Sequence, residues 1–233
     1  MFKINVDLFN PGEFFACCGL VDFSDWVYGG VESRFEGDTF IVSRGSLDEV
    51  TNYLKDCEVW SLVNNVESAV VIKNNEKEML LDWFFDKKRG GVKFKTWAAR
   101  QKSITILKSL IDLLGGEKIE ASDKGSFYLD SNVGKVGSSL GLGFSLNDLN
   151  FKKRFVNPFL EVFAFIGLQN FRPYIIGKND YKYCSWEENL SPFLSRLVVG
   201  GELDIYIKRK FKFEVISRGG EYFKCFLGST ELF

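Results

Sequence analysis

The segment NPGEFFACCGL, residues 10 to 20, recurs later in the chain as NPFLEVFAFIGL, residues 157 to 168. In each copy an Asn suited to cap a helix precedes a Pro suited to its first turn, and an apolar run follows. The same two features therefore predict a helix twice. Such a recurrence indicates that a larger unit of the chain is duplicated.

The residues around each helix support a duplicated unit. In the first half, alternating residues predict a strand at 2–8, before the helix. After the helix, turn signals predict a hairpin of strands 32–35 and 39–43, and Ser46 is expected to cap a second helix. A closing strand is predicted at 69–73 or 79–85. In the second half, the corresponding elements are a strand at 142–146, the helix from Pro158 and strands at 174–176 and 181–185. A helix capped by Ser191 and two closing strands, at 203–216 and 221–227, follow. The order predicts an α+β fold of tandem ferredoxin-like halves with the layout βαββαβ.

The predicted halves are residues 1–85 and 142–233, and residues 86–141 form an insertion between them. The insertion holds a predicted helix over residues 96–116, capped by Thr96, and a Gly-rich loop. Ala16 and Gly19 recur as Ala164 and Gly167, and small side chains at these positions are expected to let each helix approach its sheet closely.

Composition narrows the class of protein. The chain has 233 residues of which 45% are hydrophobic, enough for one large domain or two small ones. No run approaches the roughly 18 apolar residues of a membrane span, so we expect a soluble cytoplasmic protein without membrane contact. The five Cys are odd in number and are expected to be reduced core thiols; Cys17 and Cys18 are adjacent in the first helix, where packing is favoured over redox chemistry.

The chain contains no His. This excludes imidazole bases and His metal ligands, so any catalysis would depend on Lys, Tyr or carboxylates. Charge is also unevenly distributed: residues 1 to 86 carry 6 Lys and Arg against 16 Asp and Glu, and the remainder carries 24 against 15. The basic part could face a polyanion, or the two parts could neutralise each other within the fold.

Three basic segments are candidate nucleic-acid contacts. Residues 87–102 contain seven basic side chains, no acid, and Trp97 as a possible stacking group; the candidates are Lys87, Lys88, Arg89, Lys93, Lys95, Trp97, Arg100 and Lys102. A solvated face or an internal ion pair is the alternative.

On the strand predicted at 203–216, alternation places Tyr206, Lys208, Lys210 and Lys212 on one face. Such a face suits a platform for single-stranded nucleic acid or protection of a sheet edge. Lys152, Lys153 and Arg154 form the third cluster, either a plain loop or a ligand contact.

Two other patterns are weaker. The loop around Lys135 lacks the Gly-Lys-Ser/Thr ending of a nucleotide P-loop, so ATP binding is not expected. It is more consistent with a loop that becomes ordered on a partner. Glu202, Asp204 and Lys208 resemble a nuclease set only loosely, because their spacing is unspecific.

The stretches NPGEFFACCGL, FKTWAARQ, GLGFSLND and NPFLEVFAFIGLQNFRP, with the later YKYCSW, resemble the small CRISPR-associated subunit family of type I-G (formerly I-U) systems. The resemblance spans most of the chain. It implies a place in antiviral defence, in or beside a guide-RNA effector complex built with RAMP-type proteins, whose hallmark is tandem ferredoxin-like domains. It brings no catalytic residues, and the absence of His puts guide processing in doubt.

We therefore predict a non-catalytic, RNA-binding subunit of a CRISPR effector complex, with guide or target nucleic acid and other effector subunits as partners and with no cofactor or metal. The alternatives are a protein-interaction scaffold of the same complex and a His-free, metal-dependent nuclease.

Overall fold

The computed structural model describes residues 1–63, 68–75, 77–85, 91–97, 101–115, 119–120, 125–132, 155–217 and 224–233. Its helices are α1 (Pro11–Tyr28), α2 (Leu47–Lys55), α3 (Gly91–Phe94), α4 (Ser103–Asp112), α5 (Pro158–Asn170) and α6 (Pro192–Val199). Its strands are β1 (Phe2–Asn5), β2 (Ser33–Glu36), β3 (Thr39–Val42), β4 (Glu58–Ser61), β5 (Val70–Asn74), β6 (Lys77–Leu81), β7 (Ile119–Glu120), β8 (Phe155–Val156), β9 (Tyr174–Ile175), β10 (Asp180–Ser185), β11 (Arg209–Ser217), β12 (Lys224–Phe226) and β13 (Thr230–Leu232). The predicted α+β class is confirmed.

Both repeated segments form the helices that their caps predict. The side chain of Asn10 accepts a hydrogen bond from the amide of Gly12 at 3.1 Å, and that of Asn157 accepts one from the amide of Leu160 at 3.4 Å. Each helix begins at the Pro that follows, where a missing N–H costs no hydrogen bond. Helix α1 ends at Tyr28 and is followed by Gly29, whose φ of 68° is a backbone conformation that favours glycine.

The two repeated helices pack against each other at their glycines. A Cβ on Gly19 would overlap the carbonyl oxygen of Phe163 and lie 2.7 Å from the amide nitrogen of Gly167. A Cβ on Gly167 would overlap the carbonyl oxygen of Phe15. The expectation that these glycines bring a helix close to a sheet was therefore wrong, because the surface that each approaches is the backbone of the other helix.

A second pair of equivalent positions joins α1 to α5 near their carboxyl ends. Asn170 occupies the position in α5 that Asp22 occupies in α1, and its amide donates to the Asp22 carboxylate at 2.6 Å. The guanidinium of Arg196 also donates to Asp22, from α6. The repeat in the sequence thus corresponds to a pair of helices that meet through matching residues.

The first sheet has the antiparallel order β1-β3-β2. The predicted hairpin is confirmed as β2 and β3, and β1 pairs with the other side of β3. The segments expected to close that sheet pair elsewhere, because β5 and β6 form a separate antiparallel sheet with β4. The fourth strand predicted for the first half is therefore corrected.

The second sheet has the order β9-β10-β11-β12, with β13 also paired to β11. The strand expected at 142–146 lies outside the described residues. Directly before α5, the short strand β8 pairs with β7 instead of with this sheet. The described strands therefore establish a mixed α+β fold with antiparallel sheets.

Helix α1 supplies the core that the first two sheets share. The ring of Phe14 stacks on Phe35 of the first sheet and on Tyr183 of the second, at centroid distances of 5.6 and 4.3 Å. The edge of the first sheet is also covered, since Ser33 and Leu190 exchange two backbone hydrogen bonds of 2.9 and 3.0 Å. These contacts explain why one continuous apolar core runs through both halves.

In the part of the chain that the structure describes, no helix combines the length and the apolar character that crossing a membrane requires.

Candidate nucleic-acid interface

The basic stretch of residues 87–102 is divided by the structure into different environments. Lys87, Lys88, Arg89 and Arg100 lie outside the described residues, as do Lys152, Lys153 and Arg154 of the third cluster. Lys93, in α3, is exposed, and Lys95 is half-buried just after it. Lys102 is exposed at the residue that precedes α4.

Trp97 is not available as a stacking group for a base. It is 1% exposed, and its ring contacts Trp83, Phe84 and Phe127 at centroid distances of 4.9 to 5.7 Å. This corrects its predicted place in the interface. The physical reason is that a large indole with many aromatic neighbours gains more from burial than from exposure.

The helix predicted from Thr96 begins later, at Ser103. Thr96 is buried, and its hydroxyl donates to the backbone carbonyl of Phe127 instead of capping a helix. The helix nevertheless has an apolar face, because Leu107, Ile111 and Leu114 are buried. A local capping signal was thus overridden by a contact with a segment about thirty residues away.

The tertiary structure brings Lys224 to Lys93 and Lys95 of this stretch. The backbone amide of Lys224 donates to the Thr96 carbonyl at 3.1 Å, and its ammonium donates to the Lys93 carbonyl at 3.3 Å. Burial and the nearby positive charge of Lys95 lower the pKa of Lys224. We call Lys93, Lys95 and Lys224 the lysine cluster.

Sequence reasoning missed Lys224 as a site residue. It lies in the strand predicted at 221–227, and nothing in the local pattern indicates that Lys93 is its neighbour. The backbone hydrogen bond between Lys224 of β12 and Thr96, which follows α3, brings Lys224 close to Lys93 in the folded chain.

The lysines of the late strand are arranged differently from the prediction. The strand β11 begins at Arg209. Tyr206 lies before the strand, in a 3-10 turn formed by Asp204–Tyr206, and therefore does not share a strand face with Lys210 and Lys212. The alternation from Lys210 onward is confirmed, with Phe211 and Phe213 buried.

Each of these lysines also has a carboxylate partner. The ammonium of Lys208 lies 3.0 Å from Glu187, that of Lys210 lies 3.8 Å from Asp204, and that of Lys212 lies 2.9 Å from Asp180. The contact with Asp180 raises the pKa of Lys212. The positive charge predicted for this face is therefore largely balanced inside the protein.

The loosely nuclease-like set is also divided, since Asp204 is near Lys210 while Lys208 is paired with Glu187. Within the described ranges, no three Cys, Asp or Glu side chains come together as a possible metal site.

A buried carboxylate lies at the amino end of α5. Glu161 is fully buried and accepts hydrogen bonds from the backbone amides of Phe127, Leu129 and Asp130 at 2.9, 3.1 and 3.2 Å. Burial raises its pKa to about 7, while the hydrogen bond from Asp130 opposes this change. We call residues 126–132 the strap, because their backbone crosses the amino ends of both repeated helices.

Asn10 holds the strap at the end of α1. Its side-chain oxygen accepts from the amide of Ser131 at 3.1 Å, and its side-chain nitrogen donates to Asp130 at 2.8 Å. The repeated Asn and Glu positions therefore do more than begin two helices, because Asn10 and Glu161 also fix a segment from the insertion. Nothing in the sequence pattern indicates this second role.

The cysteines of α1 are core residues, as predicted. Cys17 and Cys18 are buried, and burial raises the pKa of both thiols well above its usual value. All five Cys side chains are free thiols. A thiol that keeps its proton and lies away from solvent is a poor nucleophile.

A scan against models of protein families, a search of the curated proteins and a search of the solved structures each found no match.

Proposed function

We propose that this protein is a non-catalytic, RNA-associated subunit of a CRISPR effector complex, and that the lysine cluster contacts the phosphate backbone of the RNA. The single observation that supports the binding part is the convergence of Lys93, Lys95 and Lys224 from two distant segments. The place in an effector complex, and the description of the chain as two ferredoxin-like halves, rest on the sequence resemblance and on the paired repeat helices.

The electrostatics of the cluster favour an anionic ligand. Burial of Lys224 and, after it, the nearby positive charge of Lys95 disfavour the charged ammonium, so the pKa of Lys224 is lowered. A phosphate between the ammonium groups would stabilise both charges and release counterions. Lys93 is exposed beside them and is well placed for a further backbone contact.

A charge change at the cluster tests this proposal. The double variant Lys93→Glu, Lys95→Gln is expected to lower affinity for single-stranded RNA by at least about 10-fold at low salt. The slope of log K against log salt is expected to fall by about 0.7 for each phosphate that the variant no longer neutralises. Filter binding over a salt series of about 50 to 200 mM measures both.

The matched control is Lys178→Glu with Lys3→Gln, which changes the net charge by the same amount. Lys178 is exposed, and Lys3 is mostly exposed and makes only a surface ion pair with Glu36. The control is expected to keep most of the wild-type affinity. Equal losses in both double variants would contradict a localised site and would indicate only a general charge effect.

The second candidate function, a protein-interaction scaffold, is favoured by the balanced lysines of β11. Lys208 and Lys212 already have carboxylate partners at 3.0 and 2.9 Å, so this face offers mixed charge of the kind found at the rim of protein interfaces. Partner subunits that remain bound after nuclease treatment, together with no intrinsic RNA affinity, would support the scaffold over the RNA-binding subunit.

A further inference from the structure

A cavity of about 450 Å³ opens between α2, β4 and α4, and the lysine cluster takes no part in its wall. Its wall includes two lysines, two carboxylates and one tryptophan, namely Lys55, Lys108, Glu58, Asp112 and Trp60. The volume falls within the range of pockets that hold small ligands, which is about 300 to 1,000 Å³.

The four charged side chains at this cavity are exposed to solvent. Lys55, Lys108, Glu58 and Asp112 make no side-chain hydrogen bond or ion pair with any residue in the described ranges. Lys108 and Asp112 are four residues apart on α4, a spacing at which opposite charges commonly pair. That they remain apart leaves two cationic and two anionic groups available to a ligand.

Trp60 gives the cavity an aromatic surface. Its side chain is only half-buried, whereas Trp83, Trp97 and Trp186 are among the largest fully buried side chains of the core. The ammonium of Lys73, which is not part of the cavity wall, lies 5.8 Å from the centroid of the Trp60 ring. A half-buried indole in a cavity wall is a stacking surface for a planar ring.

We propose that this cavity binds one ribonucleotide whose base carries an exocyclic amino group. The phosphate lies between Lys55 and Lys108, the base packs against Trp60, and the amino group donates to Glu58 or Asp112. Carboxylates accept from the N4 amino group of cytosine, whereas uracil presents an acceptor oxygen at the same position. The inference rests on the proposed function in one respect, since in the complex this nucleotide would belong to the bound RNA.

Calorimetric titration of the full chain with CMP and with UMP tests the inference, because these probes differ at position 4 of the base. CMP is expected to bind with a Kd of about 0.1 to 1 mM, and UMP at least about 10-fold more weakly. Lys108→Ala and Trp60→Leu are each expected to weaken CMP binding by at least about 5-fold. Lys108→Arg, which keeps the charge, is expected to stay within about 2-fold of wild type.

Lys178→Ala is the matched control, because this lysine is exposed and lies outside the cavity wall. It is expected to leave CMP binding unchanged. Circular dichroism of each variant establishes that the fold is intact. No CMP binding by the wild type, equal binding of CMP and UMP, or full binding by folded Lys108→Ala would each overturn the inference.

The two proposals can fail separately. Loss of RNA affinity in the Lys93→Glu, Lys95→Gln variant without any CMP binding would remove the nucleotide cavity and leave the proposed function standing. CMP binding that depends on Lys108, with RNA affinity that does not depend on the lysine cluster, would support the nucleotide cavity and contradict the proposed role of the lysine cluster.

Discussion

The Gly19→Ala variant is expected to lose about 3 kcal/mol or more of its free energy of unfolding, from the addition of one methyl group. That methyl would overlap the Phe163 carbonyl and lie 2.7 Å from the Gly167 nitrogen, and both atoms belong to helical backbone that cannot rotate away. The helices α1 and α5 would have to separate, which loosens the packing around Phe14 and Phe165. Urea unfolding followed by circular dichroism measures the loss.

Gly200→Ala is the matched control for this substitution. Gly200 has a φ of −71°, and an added Cβ would meet no atom closer than 3.6 Å. Its alanine variant is expected to be as stable as wild type or more stable by about 0.5 kcal/mol, because alanine restricts the unfolded chain. A similar loss at Gly200 and Gly19 would contradict the close crossing of the helices.

The two repeat glycines should also be coupled. Gly167→Ala alone is expected to cost a similar amount, since its methyl would overlap the Phe15 carbonyl. The double variant is expected to cost less than the sum of the two, because the first methyl already moves the helices apart. Strict additivity would mean that the two glycines do not share one contact.

The second large effect is expected at Glu161. Glu161→Ala removes the acceptor for three backbone amides of the strap, and unsatisfied buried donors cost about 1 to 3 kcal/mol each before relaxation. We expect a net loss of about 3 to 5 kcal/mol at about pH 5, measured by urea unfolding. Glu188→Ala, at an exposed position, is expected to change stability by less than about 0.5 kcal/mol.

The pH dependence of this contribution has a definite sign. The pKa of Glu161 is about 7 in the folded protein, against an ordinary value of 4.5, so the folded state binds more protons than the unfolded state between those values. The stabilisation that accompanies this proton is fully present below about pH 4.5 and is lost as the pH rises through about 7.

Glu161→Gln isolates this contribution, because its amide does not titrate. The stability of wild type relative to Glu161→Gln is expected to fall by about 2.5 kcal/mol between about pH 5 and about pH 8. The groups that face Glu161 include the Asp130 carboxyl of the strap and the Ser126 side chain, and both are present in wild type and variant. A difference that is constant with pH would contradict a proton on Glu161 near neutrality.

Both large effects arise at positions whose role the sequence only half indicates. The pattern of Gly19 and Gly167 predicts close packing of something against each helix, and that much is correct. It does not identify the partner, because a helix and a sheet need small residues for the same steric reason. Likewise, Glu161 resembles an ordinary first-turn acid, and its buried contacts come from a segment about thirty residues earlier in the chain.

At the candidate interface, too, the sequence indicates some of the residues but not the distant residues that they contact. Lys93 and Lys95 are recognisable as basic residues of one stretch, whereas Lys224 and the carboxylates that pair with Lys208 and Lys212 are separated from their partners in sequence. Trp97 was misjudged because aromatic residues among lysines suit both a stacking surface and a segment that docks into a core. The four charged groups around Trp60 gave no sequence signal, since they come from α2, β4 and α4.

Local sequence patterns were enough to predict the two Asn-Pro helices, their equivalence, the α+β class and the burial of the cysteines. The predicted burial holds for Cys17, Cys18, Cys184 and Cys225, whereas Cys57 is only half-buried. The correct predictions follow from caps, periodicity and side-chain polarity, which act over a few residues. Three other features became visible only in the folded chain. The repeat helices cross at their glycines, β5 and β6 pair with β4 instead of with the first sheet, and the lysine cluster forms at β12. These outcomes depend on which distant surfaces bury the most apolar area with their polar groups satisfied, and no local pattern encodes that choice.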